Sequence, residues 1–145
     1  MNNVKIRPSV AIIKDSKILL MRYEYGGQNV FNLPGGNAES LESISETVER
    51  ELVEELNVEI KAGKLLLVGE THHNPKNQTV LHLVFEAKII KGIPIINPAE
   101  TTALEVVWKP IAEISHLNMY PNVGELLFEP YREGAYVGTI QQNWF

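Results

Sequence analysis

The chain has 145 residues, 44% of them hydrophobic and 21% charged, with a net charge of -5 and no cysteine. That composition is globular rather than disordered or fibrous, and its length suits a single domain over residues 1–145. It excludes a disulfide framework, a cysteine-based zinc site and a thiol nucleophile, and it speaks against a broad basic surface for a nucleic acid polymer.

Residues 4–14 and 17–25 are β-rich and separated by Asp15-Ser16, a turn-forming pair, so they are expected to form a hairpin. After Gly26-Gly27 a short extended piece, residues 30–33, runs into Pro34-Gly35-Gly36, where only a loop fits. From 43 to 56 the period becomes helical, with Ile44, Val48, Leu52 and Leu56 every fourth residue. Two strands follow, 59–70 and 79–90, around a turn-rich stretch at 74–78. In the second strand Leu81, Leu83, Phe85, Ala87 and Ile89 alternate with a mixed face, which predicts that the leucine face is the core face. Residues 92–102 form a loop with two prolines, 105–108 a short strand, and 111–116 and 123–128 short helices. The tail, 135–145, is extended and ends in Trp144-Phe145, which either caps its own chain or packs on a partner subunit in a homodimer. No apolar run approaches the roughly 20 residues of a membrane span, and the first residues lack the pattern of an export signal, so the expected place is the cytoplasm.

The charge is uneven. Residues 39–55 hold seven glutamates against one arginine, a net -6, which leaves +1 for the rest of the chain. At about 100° per residue Glu51, Glu54 and Glu55 share one sector of the helix beside the apolar stripe. Like charges at these spacings repel, and a solvated acidic face is the plain alternative. The glycine loop in front of the helix favours a different reading: hard carboxylate oxygens beside a backbone carbonyl suit Mg²⁺ or Mn²⁺, and such an ion grips a diphosphate.

Gly36, Glu42, Arg50-Glu51-Leu52, Glu54-Glu55 and Val58 resemble the Nudix box, Gly-x5-Glu-x7-Arg-Glu-U-x-Glu-Glu-x-Gly-U with U aliphatic, over residues 36–58. The departure is Asn57 in place of the last glycine. The hairpin before the box, Leu33-Pro34-Gly35-Gly36, Val84-Phe85-Glu86-Ala87 and Glu105 to Pro110 extend the likeness to most of residues 1–140. The resemblance implies an α/β/α sandwich with a mixed β-sheet, and Mg²⁺- or Mn²⁺-dependent hydrolysis of a diphosphate in a small nucleotide derivative: ADP-ribose, another nucleotide sugar, or a nucleoside triphosphate. It implies Glu51, Glu54 and Glu55 as metal ligands, with the Gly35 carbonyl as a further oxygen. Arg50 would orient a box carboxylate, Glu51 or Glu42, although a surface ion pair fits its spacing equally well. For the proton from water, Glu51 competes with Glu100 and Glu105, with Glu86 and His82 next. Arg7 and Arg22 on the first hairpin are candidates for holding substrate phosphate. His72-His73 lacks a third ligand at zinc spacing and is expected at a turn edge. The competing function is a non-catalytic Nudix-fold module that senses a ligand, against which the intact Arg50, Glu51, Glu54 and Glu55 count.

Overall fold

The computed structural model describes residues 3–128 and 133–142, so the Trp144-Phe145 tail lies outside the described residues. Eleven elements in chain order build it: strands β1 (Asn3–Lys14), β2 (Lys17–Tyr25) and β3 (Gln28–Asn32), helix α1 (Ile44–Leu56), strand β4 (Glu59–His73), a 3-10 turn (Asn74–Lys76), strands β5 (Gln78–Lys91) and β6 (Glu105–Pro110), a 3-10 helix (Ile111–His116), and strands β7 (Met119–Tyr120) and β8 (Ala135–Thr139).

The first hairpin forms, but it soon splays. Asp15 and Ser16 both take positive φ, 52° and 62°, as tight two-residue hairpin turns require. Only Ile13↔Ile18 and Lys14↔Lys17 pair across it. β1 then leaves to run parallel to β5 from Asn3↔Gln78 to Ile12↔Ala87, while β2 pairs antiparallel with β3 and with β6. The result is a mixed sheet in the order β7-β3-β2-β1-β5-β4-β8, with β6 on β2. The cause is burial on both faces: Val10, Ala11 and Ile12, like Ile18 to Met21, are at most 2% exposed, so each strand must be covered from two sides. On one side Val10, Ile12, Leu19 and Met21 meet Val48, Leu52 and Leu56 of α1. On the other Ala11, Ile18 and Leu20 meet Ile114, Met119, Val123 and Leu127. This second layer is not α-helical. The short helix expected at 123–128 is a turn closed by bonds from Leu126 and Leu127 to the Val123 carbonyl.

β5 corrects a second expectation. Its more deeply buried face is Val80, His82 and Val84, while Leu81, Leu83 and Phe85 are half-buried. β5 lies between β1 and β4, where both faces are covered, so alternation cannot tell one from the other.

α1 is fixed at both ends by its own sequence. Ser43 and Glu46 form a reciprocal capping box, with both bonds at 3.1 Å. Asn57 ends the helix at φ 58°, ψ 33°, the left-handed conformation that glycine usually supplies and asparagine tolerates. Burying Val48, Leu52 and Leu56 completely contributes about 1.5–3 kcal/mol each and sets which side of the helix looks outward. The outward side carries the glutamates.

Candidate active site

The splay between β1 and β2 is filled by the loop after β3. Val10 N–H donates to Pro34 O at 2.9 Å, Gly36 N–H to Pro8 O at 3.2 Å and Ala38 N–H to Ile6 O at 2.9 Å, so residues 34–38 run along β1 as a makeshift strand. Gly35 cannot carry a side chain here, and one on Gly36 would push the Glu51 carboxylate away. A Cβ on Gly35 would lie 2.7 Å from Ser9 Cα and overlap the Pro8 carbonyl, and one on Gly36 would sit 2.5 and 2.7 Å from the Glu51 carboxylate oxygens. The missing Cβ of Gly36 is what lets the Glu51 carboxylate lie against the loop backbone.

Arg50 gathers the carboxylates. Its Nε donates to Glu42 Oε2 at 2.7 Å and its Nη2 to Glu42 Oε1 at 3.1 Å, a two-pronged ion pair; its Nη1 donates to Glu51 Oε1 and Glu54 Oε2, both at 3.1 Å. Thr47 Oγ1 adds a bond to Glu42 Oε1 at 2.6 Å. The Arg50 hydrogen bonds, then that of Thr47, hold the Glu42 carboxyl down at about 2, while the guanidinium is raised above its ordinary value by Glu42 first. On the other side of the helix the balance reverses. Burial pushes Glu51 up against the pull of Arg50. Burial, then the neighbouring Glu51 charge, pushes Glu55 up to about 7.

Arg7 lowers both of these carboxyls, so the cation on β1 faces the same cleft. One of its nitrogens, Nη2, donates to Leu33 O at 3.3 Å, and its guanidinium lies 5.2 Å from the Tyr120 ring centre. Nη1 is buried with no hydrogen-bond partner. Tyr120 in turn stands edge-on to His82, at 5.1 Å and 84°, and His82 Nε2 pairs with Thr71 Oγ1 at 3.0 Å. His82 is fully buried, and burial lowers it to about 3. The periodicity of β5 and β1 gave no sign of this polar group, because its third wall, β7, is two residues long.

The other sequence candidates are dispersed. Arg22 and Glu105 are cross-strand partners on β2 and β6, joined at 2.7 Å from Nε, and Arg22 Nη1 also donates to Asn29 Oδ1 at 3.1 Å. Glu100 lies with Glu55, Tyr23, Pro98, Ala99, Thr101 and Thr102 around an open cavity of about 410 Å³. Glu86 leaves the His82 neighbourhood and accepts from Lys64 N–H at 3.5 Å, beside the irregular pairing of β4 with β5. His72 Nδ1 meets Thr79 Oγ1 at 2.9 Å across the β4–β5 turn, as a turn-edge residue would.

Among the described residues no three acidic or histidine side chains stand ready around one metal position. Arg50 Nη1 lies between Glu51 and Glu54, where it balances their charge. The donor set still fits a hard divalent cation: the carboxylates of Glu51, Glu54 and Glu55 offer oxygen only, and Glu55 is raised by burial first and then by the Glu51 charge, a repulsion that a cation would relieve.

The family model for the NUDIX domain matches residues 5–129. A curated protein of Xenopus laevis, nucleoside diphosphate-linked moiety X motif 6, is 23% identical over 137 residues; the match covers 90% of this chain and 62% of that protein, so the chain spans less than two thirds of its length. The solution structure of the E. coli ORF135 protein superposes with a TM-score of 0.71 at 21% identity, covering 87% of each chain. The crystal structure of a MutT NUDIX hydrolase from Burkholderia pseudomallei does so with a TM-score of 0.65 at 26% identity, covering 76% of this chain and 85% of that one. Nudix hydrolases generally work with a divalent metal ion. The glycine loop, the capped glutamate helix and a family model that matches residues 5–129 therefore lead to one conclusion: this chain belongs to the NUDIX domain family.

Proposed function

We propose that the protein hydrolyses a diphosphate linkage in a small nucleotide derivative, of the ADP-ribose or nucleotide-sugar type or a nucleoside triphosphate, with Mg²⁺ or Mn²⁺ at the helix. The observation that carries this reading is the Arg50 array: one guanidinium fixes Glu42, Glu51 and Glu54 while Gly36 brings the loop backbone against Glu51. An acidic face with no task beyond solubility needs neither the arginine hub nor the missing Cβ.

Glu51, Glu54 and Glu55 would hold the ion, with the Gly35 carbonyl as a further oxygen. The ion supplies charge neutralisation for the diphosphate and acidifies bound water. The chain's own residues do the rest. Arg50 keeps two of the carboxylates aimed, using Glu42 as its counterweight. Arg7, whose charge acts on Glu51 and Glu55 and whose buried Nη1 has no hydrogen-bond partner, takes a phosphate oxygen or another acceptor of the substrate. Arg22 is spent on Glu105 and Asn29, which places it behind Arg7 as a substrate contact. The attacking water forms a bond to one phosphorus, the bridging P–O bond breaks, and the water proton passes to a carboxylate. Glu100 suits that step best: Glu51 is engaged by Arg50, Glu105 by Arg22, and Glu100 shares the cavity with Glu55.

The test is a panel of ADP-ribose, nucleotide sugars and nucleoside triphosphates, each with Mg²⁺ and with Mn²⁺, with the products identified by mass spectrometry. The expected result is cleavage of at least one compound into two phosphoryl products, abolished by excess chelator. Binding without turnover across the panel would replace this reading with the ligand-sensing module.

A further inference from the structure

The last carbonyls of a helix have no partner within it and are normally met by water or a local turn. In α1 they are met by a segment some forty residues later. Ile95 N–H donates to Leu56 O at 3.0 Å, Asn97 N–H to Glu55 O at 2.8 Å, and Asn97 Nδ2 to Glu54 O at 3.0 Å. The same asparagine then organises the residues after it. Its Oδ1 accepts from Ala99 N–H at 3.2 Å, and its carbonyl accepts from Glu100 N–H at 3.0 Å and Thr101 N–H at 3.2 Å. Five hydrogen bonds thus pass through one half-buried side chain and its peptide groups, two to the helix and three to the loop. A second anchor lies beyond Glu100, where Tyr23 Oη meets Thr101 Oγ1 at 2.9 Å.

We infer that Asn97 is a positioning residue: it locks residues 97–102 to the C-terminal end of α1, so that the Glu100 carboxyl is carried at a fixed offset from Glu54 and Glu55. Glu100 itself is exposed and sits on a loop, where a carboxylate would otherwise sample many positions. Tying its backbone to the carbonyls of Glu54 and Glu55 turns a distal loop group into part of the helix array. This inference rests on the hydrolase reading and on Glu100 as the proton acceptor.

The experiment is a double-mutant cycle on kcat and KM, using whichever panel compound the parent cleaves, with Asn97→Ala, Glu100→Gln, the double variant and Asn97→Asp. Melting temperature and amide hydrogen exchange at residues 99–101 are measured alongside. Asn97→Ala is expected to lower kcat roughly 10- to 100-fold with KM within about threefold, since a small misplacement of a reacting group costs this much. It should also speed exchange at 99–101. In the Glu100→Gln background the same substitution should add less than about twofold, because the two act through one step. Asn97→Asp keeps the Oδ1 acceptor for Ala99 but puts an acceptor against the Glu54 carbonyl. A residue that merely shapes the loop turn would tolerate it, whereas a positioning residue loses turnover. Normal turnover in Asn97→Ala, equal losses in both backgrounds, or a fully active Asn97→Asp would each overturn the inference while the hydrolase reading stands. A parent that cleaves nothing overturns the hydrolase reading instead.

Discussion

Glu42 and Glu55 lie at opposite ends of one acidic array and have opposite electrostatics. Glu42 is held by two nitrogens of Arg50 and by Thr47, and its pKa falls to about 2. Glu55 is half-buried, faces other carboxylates, and rises to about 7. The acidic array is thus divided into an end before the helix whose negative charge is met by Arg50 and Thr47, and an end at Glu55 whose charge faces other carboxylates. Arg50 stands at the boundary, with Glu51 and Glu54 sharing its Nη1.

The sharpest way to break that division is at the unsatisfied end. Glu54→Gln keeps the shape and removes a ligand charge, so turnover should fall by about 10² or more while the circular dichroism stays that of the parent. An unchanged rate would take Glu54 out of the site. Next comes the boundary itself. Arg50→Ala removes the bonds to Glu42, Glu51 and Glu54 together and should destabilise the fold by roughly 1–3 kcal/mol, a range discounted for the partial exposure of the pair. Urea unfolding with unchanged m-value checks this, and Arg50→Lys should recover only part of it, because one ammonium cannot copy the two-pronged contact with Glu42.

The pH dependence distinguishes the two ends directly. For Glu42 the folded pKa lies below the ordinary 4.5, so its contribution is present above pH 4.5 and is lost as pH falls toward 2. For Glu55 the folded pKa lies above 4.5, so the fold is favoured below pH 4.5 and that advantage disappears as pH rises through 7. Metal-free protein should therefore melt at a lower temperature at pH 8 than at pH 5, and saturating Mg²⁺ or Mn²⁺ should remove most of the loss by binding the ionised form. A melting temperature that is flat from pH 5 to 8 without metal would count against a raised Glu55.

The smallest effect is expected at the helix end. Asn57→Gly relieves left-handed strain but gives up the Nδ2 bond to Ile95 O at 3.0 Å and gains unfolded-state entropy, so stability should change by less than about 1 kcal/mol. Asn57→Val should cost about 1–2 kcal/mol, because a β-branched residue resists φ near 58°. Equal stabilities would mean that the left-handed cap contributes nothing to holding α1.

What the sequence determined by itself is local. The apolar stripe from Ile44 to Leu56, the glycine loop and the asparagine at the helix end are each set by neighbours a few residues away, so the sequence revealed them, while the equally local Ser43–Glu46 cap emerged with the structure. That Arg50 would meet Glu42 or Glu51 came from the resemblance rather than from spacing, and its bond to Glu54 came only with the structure. Tertiary structure decided whatever depended on which strand lies beside which. β1 and β2 read as a hairpin, yet their two-sided burial sends them to different partners after two residue pairs. β5 alternates like a half-exposed strand, but covering both faces puts His82 in the interior with Tyr120 and Arg7. Arg7 and Arg22, indistinguishable in sequence, differ because Arg22 meets Glu105 across β6 while Arg7 is left with an unpaired nitrogen. Glu100 lines the same cavity as Glu55, on a loop tied to the helix by Asn97 bonds to carbonyls more than forty residues earlier in the chain. Contacts at such separations are chosen by packing and hydrogen-bond satisfaction across the whole sheet, and no local period records them.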